Sequence, residues 1–414
     1  MTERAIAHQI LSAVLLQHKS LDKVLTPGHA PFTKQLCYGV MRYYEELIVI
    51  VNSFLKKPLR RKEAEIEVAL LMGCYEIFYG AKAAHAVVSA MVELVKNDYP
   101  WASKLVNAVL RNMLRQKDTL QTRVHAAHIS ARFAHPTWFI QALQHQYPEQ
   151  WENILSANNQ QAPMCLRIDL AKQSREDYLQ ELAAQHMDAF AHEIVDTAVV
   201  LAEPLRVNEL PGFNDGRVSV QDAAAQLAAT WLAPKNHERI LDACCAPGGK
   251  TGHLLELAPQ AQVLALDVSA ERAKRVTENL KRLKLTADLQ IADAADVAQW
   301  WDGKCFDKIL LDAPCSGIGV IRRHPDIKYL RRESDFAALA QQQSDLLHKL
   351  WPTLKPAGQL LYATCSYWGS ETQGVIEAFL KTQADAACIR QQVIFPGEQD
   401  MDGFFYALLQ KAGR

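Results

Sequence analysis

The sequence predicts a multidomain protein, with an all-α domain over residues 1–130, a small α+β linker domain over 131–225 and an α/β doubly wound domain over 226–414. Three observations point that way. Apolar residues recur at helical spacing through the first third with no comparable strand alternation. Gly- and Pro-rich turns flank short extended runs in the middle, and strand and helix patterns alternate from Arg239 onward. At 414 residues the chain exceeds one typical domain, and 49% hydrophobic with 22% charged residues is ordinary for a globular protein.

In the first domain Ile6, Ile10, Leu11, Val14 and Leu15 share one helix face, and Pro27-Gly28 marks a break. Further helical patterns cover roughly 63–80, 86–97 and 102–115, and their apolar stripes read as helical core. The net charge of −1 hides an asymmetry: residues 1–140 hold 18 Lys and Arg against 11 Asp and Glu, a net +7 that leaves −8 for the remainder. The densest basic run is Lys56, Lys57, Arg60, Arg61 and Lys62, with Arg111, Arg115 and Lys117 beyond it. Such an excess suits a nucleic-acid backbone or, equally, a solvated helical face.

No apolar run reaches membrane-span length, and Met-Thr-Glu-Arg-Ala at the N-terminus lacks a signal-peptide core, so the expected location is the cytoplasm with no membrane partner. Nine scattered cysteines without C-x-x-C spacing argue for reduced thiols and against a disulfide framework or a metal site.

The linker domain opens with aromatic, helical pieces (Phe133, Trp138, Phe139, Trp151), followed by an extended Met164 to Ile168 and a helix near 174–185. Turns at Pro211-Gly212 and Asp215-Gly216 lie between two strand-like runs, Leu205 to Val207 and Val218 to Val220. A helix beginning at Gln221 leads into the last domain.

That domain is organised around Arg239 to Thr251, where a buried strand breaks into Pro247-Gly248-Gly249 and resumes as a helix. Adjacent glycines permit positive φ and close backbone approach, and the free N–H groups of a helix start suit polar or anionic ligand groups. Two familiar phosphate cradles fail on spacing. A Walker A loop needs glycine where Cys244 stands, and Gly248, Gly249 and Gly252 do not form G-x-G-x-x-G. The next strand pattern ends in Asp267, suited to both hydroxyls of a ribose or to a helix cap. The one after it ends near Asp293, suited to an adenine amine or to a turn. Two further strands run into Asp312-Ala313-Pro314-Cys315 and Thr364-Cys365-Ser366. In an open α/β sheet the ends of strands line the ligand crevice, so both thiols can face one substrate, whereas Cys37, Cys74, Cys165, Cys305 and Cys388 read as inert packing residues.

Together, Asp242 to Thr251, Asp312 to Cys315 and Thr364 to Ser366 resemble the RNA cytosine-C5 methyltransferases that use S-adenosylmethionine, over most of residues 220–410. The helical front domain resembles the RNA-binding NusB fold. Val320 to Lys328 and Asp402 to Tyr406 bring the likeness closest to the bacterial enzymes acting on small-subunit ribosomal RNA. The resemblance implies a Rossmann-like catalytic domain and a monomer that methylates C5 of a cytosine. Cys365 would be the nucleophile, Cys315 would assist product release by proton transfer, and Asp312 would contact the cytosine. It implies S-adenosylmethionine held by Cys244, Cys245, Ala246, Pro247, Gly248, Gly249, Lys250, Asp267, Asp293 and Asp312. Small-subunit ribosomal RNA is the expected partner, met by the front-domain run Lys56, Lys57, Arg60, Arg61 and Lys62 and by Arg322, Arg323 and Lys328 beside the site. Two positions depart from the family pattern: Cys245 where alanine is commoner, and Thr372 where the family has Asn. The rival functions are methylation of another RNA, transfer to an exocyclic amine, and a non-catalytic RNA-binding assembly factor.

Overall fold

The computed structural model describes residues 1–413, which divide into two compact units: residues 1–160 with 321–333, and residues 161–320 with 334–413. The first unit is helical, as the apolar periodicity predicts. Its principal helices are Glu3–Gln17, Pro31–Arg42, Tyr44–Ser53, Ala64–Tyr79, Ala84–Lys96 and Ala102–Arg115. Ala64–Tyr79 is buried nearly all round, from Ile66 to Ile77, so it forms the centre against which the others lay their apolar stripes. The helices over 131–160, expected to open the linker, belong to this helical unit.

The second unit carries two sheets. The smaller joins β1 (Met164–Ile168), β2 (Ala189–Ala191), β3 (Ala198–Leu201) and β4 (Val218–Val220) in the order β2-β3-β1-β4, all antiparallel. The expectation of a strand at Leu205 to Val207 is corrected, because Val207–Glu209 forms a 3-10 turn. Arg206 N donates to Glu209 there, a local capping arrangement that competes with pairing to a sheet.

The larger sheet contains β5 (Arg239–Asp242), β6 (Gln262–Asp267), β7 (Asp288–Ile291), β8 (Phe306–Asp312), β9 (Leu354–Thr364), β10 (Ala386–Ile394) and β11 (Phe404–Lys411). Its order is β10-β11-β9-β8-β5-β6-β7. Strands β5 to β9 are parallel, and β11 and β10 complete one edge as an antiparallel pair. Separate apolar clusters cover its two faces, one around Ile240, Leu310 and Tyr406 and the other around Leu241, Ile309 and Phe405. This alternation is what a parallel sheet sandwiched between helices requires. The chain runs outward from β5 through β6 to β7 and then returns to β8 on the other side of β5. Between β5 and β8 the loops therefore diverge and leave a crevice at the strand ends.

Candidate active site

The loops after β5, β6, β8 and β9 converge on that crevice. Past β5 the backbone is held by Cys245 N donating to Leu266 O (2.9 Å) and Gly248 N to Cys245 O (2.7 Å). Gly248 adopts φ +94°, a left-handed conformation that a side chain disfavours, and helix Gly249–Leu257 starts directly after it. Asp242 at the end of β5 is fully buried. Its Oδ2 accepts from Thr251 Oγ1 at 2.7 Å while Oδ1 has no partner, and burial pushes its pKa up to about 7. Asp267 at the end of β6 accepts from Ala246 N (3.3 Å) and Ser269 N (2.8 Å), and the largely exposed Arg272 guanidinium lies 2.9 Å from it. Next to it Val268 presents an apolar side chain that is 66% exposed. Asp293 is exposed beyond β7, where its Oδ1 accepts from Ala295 N at 2.8 Å.

At the head of helix Gly249–Leu257, Lys250 Nζ donates to Asp312 Oδ2 at 2.5 Å and lies 5.2 Å from the centre of the Phe404 ring. Burial alone would lower the lysine's pKa. Asp312 outweighs it, with Cys365 and Asp242 adding to the pull, so the ammonium is held charged within electrostatic range of Cys365. Cys315 Sγ, after β8, and Cys365 Sγ, after β9, are 3.4 Å apart. The Cys315 thiol is pushed well above its ordinary range by its contact with Cys365, by burial and by the charge of Glu371. Burial and the surrounding carboxylates also raise Cys244 and Cys245. The Cys365 loop is backed by Gly319 N donating to Cys365 O (2.9 Å) and Gly403 N donating to Gly319 O (2.8 Å). A Cβ on Gly319 would sit 1.9 Å from Gly403 O, so this close backbone approach requires glycine.

Asp242, Lys250, Asp267, Asp312, Cys244, Cys315 and Cys365 thus fall within one electrostatically connected cluster. Residues 321–333 are part of the helical unit, where Lys328 is buried and its Nζ donates to Arg42 O (2.6 Å), Ala134 O (2.9 Å) and Asn159 Oδ1 (2.8 Å). Arg322 is also buried, and its carbonyl accepts from Arg42 at 2.9 Å. The expectation that Lys328 and Arg322 meet phosphates is corrected: a helical pattern of charges looks the same in sequence whether solvent or a cage of carbonyls surrounds it. Arg323 is half-buried, and Lys56, Lys57, Arg60, Arg61 and Lys62 are exposed, with Arg60 engaged by Glu63. His324 pairs with Asp22 at 3.1 Å. Thr372 Oγ1 donates to Trp368 O at 3.0 Å.

The charge pattern of the sequence does not single out Glu371. It is fully buried, and its carboxylate accepts from Ser316 and Ser366, the residues after the two cysteines. The repeated Cys-Ser dipeptide, Cys315-Ser316 and Cys365-Ser366, is the sequence signal for such a partner. Arg167, fully buried in β1 and bonded to Gly249 O at 2.7 Å, is a second residue that sequence reasoning misses.

Comparison with known proteins matches the chain to three models: the NusB family over residues 1–115, a ferredoxin-like domain of the RsmF/B-like methyltransferases over 135–208, and 16S rRNA methyltransferase RsmB/F over 229–410. The chain is 44% identical to ribosomal RNA small subunit methyltransferase B of Vibrio vulnificus, covering 99% of this chain and 100% of that one. It belongs to the ribosomal RNA small subunit methyltransferase B family. The Proteus mirabilis member is 43% identical, over 99% and 98% of the two chains. The solved structure of a methyltransferase homolog protein from Pyrococcus horikoshii, 26% identical, superposes with a TM-score of 0.61 over 68% of this chain and 97% of that one. In this methyltransferase B family member the parallel sheet is the Rossmann-like catalytic fold, preceded by a NusB-like and a ferredoxin-like domain. Among the described residues no helix is long and apolar enough to cross a membrane, and no cluster of His, Cys, Asp and Glu could hold a metal ion.

Proposed function

We propose that the chain transfers a methyl group from S-adenosylmethionine to C5 of a cytosine in small-subunit ribosomal RNA, through a covalent bond between Cys365 and C6. The observation carrying this reading is the pair of thiols 3.4 Å apart beside the Lys250–Asp312 ion pair. Cytosine C5 is a poor nucleophile, and a transfer to an exocyclic amine would need no thiol at all. The relatives' name supplies the RNA class.

The crevice suits the cofactor. Asp242 Oδ1 is buried without a partner, Gly248 gives the loop a positive φ, and Val268 offers an apolar wall beside Asp267. Asp267 would meet the ribose once Arg272 swings aside, Asp293 would meet the adenine, and the backbone from Cys244 to Lys250 would line the remainder. When bound, S-adenosylmethionine supplies an electrophilic methyl group to C5. Cys365 adds to C6 and pushes electron density onto C5. Lys250 engages Oδ2 of Asp312 and leaves Oδ1 for N3 or the exocyclic amine of the base. Release requires C5 to give up its proton while the C6–S bond breaks and its electron pair returns to Cys365. Cys315 is in range to relay that proton, handing its own thiol proton to the departing Cys365 sulfur as it takes the one from C5. Each turnover moves one methyl group and liberates one proton. Because stacking hides both faces of C5 and C6, the target cytosine must be unpaired or flipped out. The exposed lysines and arginines of residues 56–62 supply phosphate contacts in the cytoplasm, where this RNA is found.

The test incubates the protein with labelled-methyl S-adenosylmethionine and unmodified small-subunit ribosomal RNA, then identifies the labelled nucleoside. We expect 5-methylcytidine from wild type, none from Cys365→Ala, and a persistent protein–RNA adduct from Cys315→Ala. Label on an exocyclic amine, or a wild-type rate from Cys365→Ala, would overturn the reading.

A further inference from the structure

Glu371 follows β9 by seven residues, in a 3-10 turn with no exposed surface. Its Oε1 accepts from Ser316 N (2.8 Å) and Gln343 Nε2 (3.0 Å), and its Oε2 from Ser316 Oγ (2.5 Å) and Ser366 Oγ (2.7 Å). These four donors are neutral. Taking a carboxyl group out of water without a cation is costly, and hydrogen bonds to both its oxygens offset that cost. The network reaches further. Gln343 Nε2 also lies 2.9 Å from Pro314 O, and Tyr362 OH lies 2.8 Å from Glu371 O and 3.0 Å from Gln343 Oε1. The peptide after Cys315 and the hydroxyls of Ser316 and Ser366 are therefore tied directly to Glu371, and the peptide before Cys315 is tied to it through Gln343.

We propose that Glu371 is a positioning residue that locks the two thiol loops together, fixing the Cys315–Cys365 separation that attack and release on one cytosine demand. This rests on the methyl-transfer reading above. Two sulfurs acting on neighbouring ring carbons must keep their spacing through a whole cycle, and a displacement of about 1 Å at a reacting group costs on the order of 100-fold in rate. Glu371 touches neither base nor cofactor. It acts through Ser316 and Ser366.

Two readouts test this, one independent of RNA. In the first, diamide takes up two hydrogen atoms as the two thiols become a disulfide, and peptide mapping by mass spectrometry follows the Cys315–Cys365 bridge. In the second, the lifetime of the protein–RNA adduct and the KM for S-adenosylmethionine are measured for wild type, Glu371→Gln and the double variant S316A/S366A. We expect both variants to form the bridge at least 10-fold more slowly. They should also release the adduct at least 10-fold more slowly, with KM for S-adenosylmethionine within about twofold of wild type, because the clamp leaves the cofactor loop untouched. Should Glu371→Gln fail to fold, the serine variant, which keeps the carboxylate and its Gln343 contact, carries the test alone. Wild-type rates of bridge formation and release in a folded variant would overturn the proposal, as would a rise in KM matching the loss in rate. If wild type forms the bridge rapidly, the variants form it slowly, and no RNA adduct ever appears, the clamp stands and the methyl-transfer reading falls.

Discussion

Asp242 shows how one buried carboxyl links stability to the site. Its pKa of about 7 in the folded chain is far above the value of about 3.9 expected once unfolded. Between those values the folded chain keeps a proton that the unfolded chain has released, so the contribution is full in acid and is lost as pH rises towards neutrality. Asp242→Asn removes that dependence. Urea denaturation of cofactor-free protein at pH 5, 6, 7 and 8 should show the Asn variant gaining on wild type with each step, and parallel curves would mean that Asp242 is ionised throughout. Asp242, Asp267, Asp312 and the two thiols are readable in sequence because each ends a short apolar run, and strand ends of an open sheet converge. Glu371 is not, since its value lies in partners 5, 28 and 55 positions away that only the folded loops bring within reach.

Helix Gly249–Leu257 is held from outside its own sheet. Arg167, on β1 of the small sheet, contacts Glu256 through Nε and a terminal nitrogen, both at 2.7 Å, and donates to Gly249 O and to Gln221. Both ends of this helix are thereby pinned by one guanidinium whose planar fork a lysine could not reproduce. Arg167→Met should destabilise the protein by about 3–5 kcal/mol by leaving Glu256 buried and unpaired. Adding Glu256→Gln should recover part of that loss. Calorimetric titration should show weaker S-adenosylmethionine binding in the single variant, and unchanged affinity would separate the strut from the cofactor loop. The extended run Met164 to Ile168 is legible as a strand. An arginine within it reads as a solvent-facing residue, because nothing local reveals a glutamate 89 positions on. The unexpected turn at Val207–Glu209 has the opposite cause, a local cap overriding extended propensity.

Across the chain, charge divides into groups with different tasks. Lys57 and Arg61 are exposed, whereas the buried Lys328 gives its hydrogen bonds to three oxygens of the helical unit. Substituting Lys57 or Arg61 by Ala should lower the salt dependence of RNA binding by about 0.7 to 0.9 for each phosphate left without its cation. Lys328→Met should leave that slope alone and lower the melting temperature, because it strands buried acceptors. A lower slope for Lys328→Met would restore it as a phosphate ligand. The three-part organisation is legible from periodicity, but the return of residues 321–333 to the helical unit is not, since no composition shift marks it. That return bears on ancestry and on surgery alike. A domain strung on at one end can be gained or shed in a single genetic event. Here the backbone passes from one unit to the other after Gln160, Val320 and Glu333, so the halves are stitched rather than strung. A shortened gene starting after residue 160 would still encode a 13-residue strip complementary to a body it no longer makes.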